Sequence, residues 1–180
     1  MSEETERTVF AAPWGTLLKT TSTVLVVVLL GAAIGGLIFL PAATPPICRW
    51  VIGVTSPLIL LGSLPFVVRG YTIQPGGLVV RRLFWNTRIS WMGLKSAELN
   101  PEAMKRSVRL FGNGGGFVFA GWFRNRELGL YRAFVNDLKR AVVLRFPGRT
   151  VVVSPDNPAE FVAAVNSHLR SALPLPGGSE

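Results

Sequence analysis

The sequence predicts a two-span transmembrane α-hairpin followed by a mainly-β domain. Three observations carry this reading. Of the 180 residues, 49% are hydrophobic, and the mean hydropathy of +0.40 is higher than an ordinary soluble domain shows. Two long uncharged apolar runs lie within the first 68 residues. From residue 69 onward the chain changes to short segments rich in β-branched and aromatic residues, separated by Gly, Pro, Asn or Asp, the pattern of consecutive strands.

Residues 1–19 read as a cytoplasmic N-terminal segment. The run "TTSTVLVVVLLGAAIGGLIFL", residues 20–40, carries no charge and as a helix would measure about 31 Å, enough to cross a hydrocarbon core of roughly 30 Å. A cleaved signal peptide is disfavoured, because the preceding "MSEETERT" sets Glu3, Glu4 and Glu6 against Arg7 where a basic flank is required. Residues 41–49, "PAATPPICR", form a short external loop whose prolines end one helix and delay the next. Residues 50–68 are the second span, with Pro57 and Pro65 each removing a helical hydrogen bond that membrane helices can lose when neighbours compensate.

Basic residues set the expected orientation. Lys19 precedes the first span, Arg69, Arg81 and Arg82 follow the second, and the connection holds only Arg49, which places both termini in the cytoplasm. Trp14, Trp50 and Tyr71 fall near span ends, where amphipathic rings anchor. Gly31 and Gly35 make a small-residue spacing in the first helix, read as packing against the second helix of the same chain in preference to homodimerisation. Cys48 is the single cysteine, so no intramolecular disulfide forms, and Ile47 before it argues against lipid attachment.

Residues 69–180 hold 16 Lys and Arg against 7 Asp and Glu, a net charge of +9, while residues 1–68 hold 3 of each. All the excess charge thus belongs to the second part, which has the length of one domain. "YTIQ" and "GLVVRRLF" flank Pro75–Gly77 as a hairpin, and "AVVLRFPGRTVVV" forms a second with Pro147 and Gly148 at its tip. The end is helical: Asn157 caps, Pro158 takes the first position and Glu160 completes a capping box, while Phe161, Val165, Leu169 and Ala172 line one apolar face. If "GLVVRRLF" is a strand, Arg81 and Arg82 point to opposite faces.

"YTIQPGGLVVRRLFWNTRISW", the central "GWFRNRELGLYRAFV" and "VVVSPDNPAEFVAAV" together resemble the bacterial PH-domain membrane proteins. The resemblance implies a PH-like antiparallel barrel of seven strands, capped by a C-terminal helix and covering most of residues 69–178. It also implies a bacterial inner-membrane location and a binding or scaffolding role. The chain departs from phosphoinositide-binding PH domains in its compact "QPGG" first loop, with the basic pair placed later at Arg81 and Arg82, so specific inositol phosphate recognition is not expected.

No catalytic, metal or cofactor constellation is expected. His168 is the only histidine and has no positioned partner in sequence, and no ligand cluster has a recognisable spacing. "GNGGG", residues 112–116, lacks the ending of a phosphate loop and reads as a mobile β-connection. Nucleic acid is not an expected partner, because the charge is dispersed and no recognition motif appears. The expected function is a non-enzymatic, membrane-anchored module that engages acidic lipid headgroups or a membrane protein through Arg69, Arg81, Arg82, Trp85 and Arg88. The alternative is a structural subunit that self-assembles without specific lipid binding.

Overall fold

The computed structural model describes residues 8–41, 43–114 and 116–172. The acidic flank at residues 1–7, Gly115 of the glycine run and the chain beyond 172 lie outside the described residues. Two helical segments are long and apolar enough to cross a membrane: α1 at Thr16–Ile38, and α2 at Pro46–Ser63 with the turn that continues it to Phe66. Both boundaries differ from the sequence expectation. α1 starts at Thr16 and not at residue 20, because Leu18 and Ser22 are buried against the following domain and the first turns need no lipid. α2 starts at Pro46 and not at residue 50, since proline fits the first helical turn, where its missing N–H has no partner to lose. It ends at Ser63 and gives way to a 3-10 turn, Leu64–Phe66, containing Pro65. Arg49 is therefore helical, and its Nη2 donates to the carbonyls of Leu40 and Pro41, both at 2.9 Å, closing the far end of the hairpin.

The remainder folds as two sheets and a helix. The first sheet runs in the order β1 (Thr8–Ala11), β2 (Val68–Gln74), β3 (Gly77–Arg82), β4 (Asn86–Ser90). The second contains β5 (Ser96–Leu99), β6 (Val108–Gly114), β7 (Phe119–Asn125), β8 (Gly129–Val135), β9 (Val142–Phe146) and β10 (Arg149–Val153), in the order β5-β9-β10-β8-β7-β6. The described residues thus form ten strands, three more than the resemblance implies, and β8 pairs with β10 in parallel while the other ladders are antiparallel.

β1 was not expected. It precedes the first helix, yet it pairs antiparallel with β2, from Thr8 opposite Ile73 to Ala11 opposite Gly70. The segment before α1 is therefore part of the domain that follows α2, and the domain does not begin at residue 69. Gly70 permits this pairing: a Cβ there would lie 2.6 Å from the carbonyl oxygen of Phe10.

The helix α3 (Pro158–Ala172) starts as its sequence predicts, with Asn157 Nδ2 donating to Glu160 Oε2 at 2.8 Å. Phe161 and Val165 are fully buried between the sheets with Phe10, Tyr71, Leu78, Val80, Phe134 and Val153. Burying each such apolar side chain contributes about 1.5–3 kcal/mol. The other face of the second sheet has its own core, in which Ala103 and Met104 cover Phe123, Tyr131, Val143 and Val152. Both faces of β8 are therefore apolar along much of its length.

Candidate functional site

The expected residues do not form one patch. Arg81 and Arg82 do face opposite ways: Arg81 is exposed on the outer face of β3, and Arg82 is turned inward and buried. Arg88, opposite Val79 in the ladder, shares the outer face with Arg81. Arg69 is exposed where β2 bulges between Val68 and Gly70. Trp85 lies in the turn after β3, in T-shaped contact with Phe66 at 5.9 Å between centroids. The structure thus separates an exposed group, Arg69, Arg81, Arg88 and Trp85, from the inward Arg82.

Gly31 and Gly35 do not make the predicted helix contact, for a Cβ on either would meet nothing within 4 Å. The close approach belongs to Gly36, where a Cβ would lie 2.7 Å from Ile52 Cγ2, and to Gly53, facing Leu37. A shift of one residue turns a helix by about 100°, enough to carry the glycine pair off the interface.

These helix contacts also set heights. Gly36 is beside Ile52 and Gly53 beside Leu37, so the helices run antiparallel and both Ser22, early in α1, and Phe66, just past α2, lie at the domain end of the hairpin. At Ser22 the β6–β7 hairpin reaches the helix: the Phe117 amide donates to Ser22 Oγ at 2.9 Å, Trp14 meets Phe117 edge-on at 6.1 Å, and Gly116 adjoins Leu25. At Phe66 the β3–β4 turn reaches the other helix through Trp85, with Leu83 and Phe84 exposed beside it. Each helix root is therefore met by a turn that carries aromatic side chains. The glycine run is accordingly no free connection: Gly112–Gly114 belong to β6, and Asn113 bonds the Gly116 backbone through both ends of its amide.

Sequence reasoning also missed the group that ties the roots together. Asn136 is fully buried just after β8. Its Nδ2 donates at 2.8 Å to the carbonyl of Ala12, before α1, and at 2.8 Å to that of Val68, after α2. Its backbone carbonyl accepts from the Gly15 amide at 3.0 Å. Beside it, Tyr71 donates to the Phe134 carbonyl at 2.5 Å and accepts from the Ser154 amide at 3.0 Å. Burial pushes the Tyr71 phenol up to about 12, with the Ser154 hydrogen bonds opposing.

Arg82 reaches into the barrel mouth, its Cζ 4.8 Å from the Phe134 ring and 5.7 Å from Trp85. Arg132 approaches the same Phe134 ring at 4.9 Å. Strand alternation puts Arg132 on the face of Phe134, and that is the signal in the sequence that would have located it. Burial first, then the Arg132 charge, lower the Arg82 pKa from its ordinary value, though a guanidinium stays protonated in proteins. Among the described residues no three His, Cys, Asp or Glu side chains gather to hold a metal.

A family model described as Bacterial PH domain matches residues 69–169. No curated protein and no solved structure matches the chain.

Proposed function

The chain belongs to the bacterial PH-domain family, and from that premise we propose that it is a non-enzymatic, membrane-anchored module whose domain rests on an acidic lipid surface. One observation carries the proposal: the strictly apolar stretch of α1 stops short of the domain, and the domain's own apolar turns stand where it stops. α1 is polar from Thr20 to Thr23, and from Val24 to Phe39 it rises about 24 Å, short of a hydrocarbon core of roughly 30 Å. The deficit is met by thinning the bilayer or by immersing flanking residues. Phe117, Trp14, Phe66, Leu83, Phe84 and Trp85 surround the roots where that immersion takes place, as an interfacial aromatic belt would.

Charge supports the same placement. Lys19, Arg69 and Arg81 are exposed near the roots, and each basic residue close to an anionic leaflet contributes about 1 kcal/mol. The far end of the hairpin has Arg49, whose guanidinium bonds helix carbonyls. This asymmetry supports an inner-membrane protein with its domain and both termini in the cytoplasm. Labelling by an impermeant thiol reagent in intact cells checks it: Cys48 reacts, and a Met92→Cys probe in a Cys48→Ser background does not.

The lipid reading is tested by hydrogen exchange on the full chain in neutral and anionic nanodiscs. Amides of Leu83–Trp85 exchange more slowly in the anionic discs, and an Arg69→Glu, Arg81→Glu, Arg88→Glu variant loses that difference. Equal exchange in both discs overturns this reading. It would favour self-assembly instead, for which the edge strand β6 offers exposed Val108, Leu110 and Phe111.

A further inference from the structure

At the barrel mouth two guanidinium groups lean on one ring, and among the described residues no carboxylate pairs with them. Arg82 is 9% exposed, and its Nε is buried without a hydrogen-bond partner. The ion pairs among the described residues join Lys105 to Glu102, Arg140 to Asp137 and Arg145 to Glu98, leaving Arg82 and Arg132 out. The Phe134 and Trp85 rings offset part of the lost hydration, but neither is an acceptor for a guanidinium's five planar N–H donors. Burying one edge of a guanidinium without an acceptor is unfavourable, and a second cation on the same ring adds to that cost. Such an arrangement fits an anion that supplies the missing charge and acceptors.

We infer that Arg82, with Arg132 beside it, binds a phosphate group at the mouth of the barrel. Their distances to the common Phe134 ring put the two Cζ atoms within about 10 Å of each other, and the guanidinium fork matches phosphate oxygens in pairs. The mouth opens beside the helix roots, since Arg82 pairs with Val68 in the ladder and Trp85 meets Phe66. In register across the second sheet, Arg132 is followed by Trp122 and then Phe111, 41% and 77% exposed. That row offers apolar surface next to the charge, as an anionic phospholipid requires, while a small phosphate ester would use the arginines alone. Only the lipid as source rests on the membrane-surface function proposed above; the phosphate site itself does not.

The experiment uses the full chain, wild type and the variants Arg82→Met, Arg82→Lys and Arg132→Gln. In neutral detergent, melting is compared in inorganic phosphate, in glycerol 3-phosphate and in chloride of matched ionic strength. In nanodiscs of mixed phosphatidylcholine and phosphatidylglycerol, retained lipid is counted by native mass spectrometry. Wild type retaining phosphatidylglycerol in about tenfold preference, the scale of one charge-assisted hydrogen bond, with the preference lost in Arg82→Met and reduced in Arg132→Gln, supports a lipid phosphate. A melting shift by the soluble phosphates, present in wild type and absent from Arg82→Met, supports the same site with a soluble ligand. Arg82→Met melts at or above wild type in chloride, because it removes an uncompensated charge. If Arg82→Met does not fold, Arg82→Lys and Arg132→Gln still decide by weakening the preference or the shift. Wild type with neither lipid preference nor phosphate shift overturns the site. If the anionic-disc protection of Leu83–Trp85 survives that result, the membrane-surface function stands without it; if the protection is also absent, both fall.

Discussion

Replacing Asn136 by Ala should loosen both roots of the helical hairpin at once. The Asn136 amide donates at 2.8 Å to the carbonyls of Ala12 and Val68, which lie on either side of the hairpin in sequence and are joined by this side chain, the β1–β2 ladder and their shared apolar core. The substitution leaves two buried acceptors without a donor, each costing about 1–3 kcal/mol, so the expected loss is about 2–6 kcal/mol. Against a typical total of about 5–15 kcal/mol, that is a large fraction. Asn136→Asp should do no better, since it points a carboxylate at the same two carbonyls. Melting of the full chain in detergent reads the loss, and hydrogen exchange locates it: the amides of Val9–Ala11 and Gly15 should exchange faster while those of β9 and β10 hold. An Asn136→Ala protein within about 1 kcal/mol of wild-type stability, with unchanged exchange at Val9–Ala11, would show that Asn136 does not hold the roots.

Other outcomes follow from the same contacts. Tyr71 titrates at about 12 in the folded protein against 10.0 ordinarily, so its contribution is complete below pH 10 and is lost as pH rises through the folded value. About 2–3 kcal/mol should disappear across that interval, and Tyr71→Phe should flatten this part of the stability profile measured by denaturant titration. Gly70→Val should displace β1, because its Cβ would lie 2.6 Å from the Phe10 oxygen; faster proteolysis before residue 12 in the full chain checks this, and an unchanged digestion pattern would contradict it. Asn157→Ala removes the reciprocal bond to Glu160 and should cost about 1 kcal/mol, seen as a small drop in melting temperature with the membrane helices unaffected.

What could be read from the sequence was local. Asn157, Pro158 and Glu160 define a helix start within four residues, and Pro75 and Gly76 define a turn between two β-rich runs, so both features needed no knowledge of the rest of the chain. β1 was hidden because "TVFA" is four residues long and its partner strand lies sixty positions away, beyond both helices; nothing near it distinguishes a strand from a linker. The same gap misplaced the domain boundary, and a fragment starting at residue 69 would lack the strand that covers Gly70. Arg132 escaped notice for a different reason. Tyr131, Ala133 and Val135 pack into one core while Phe134 packs into the other, so β8 lacks the regular polar face that marks inside from outside. Gly31 and Gly35 show how spacing identifies a close-packing surface without fixing the helix rotation, which here brings Gly36 to the contact.

In the proposed function, the turns around the helix roots seat the barrel at the membrane interface. Spin labels on Phe84→Cys and on Met92→Cys, each in a Cys48→Ser background, test it in reconstituted full-length protein. Phe84 and Met92 are 69% and 86% exposed and lie on either side of β4, about 17 Å of strand for its five residues. The label at 84 should relax with oxygen dissolved in the bilayer and resist a water-soluble nickel chelate, while the label at 92 does the reverse. Equal access of the chelate to both positions would contradict it.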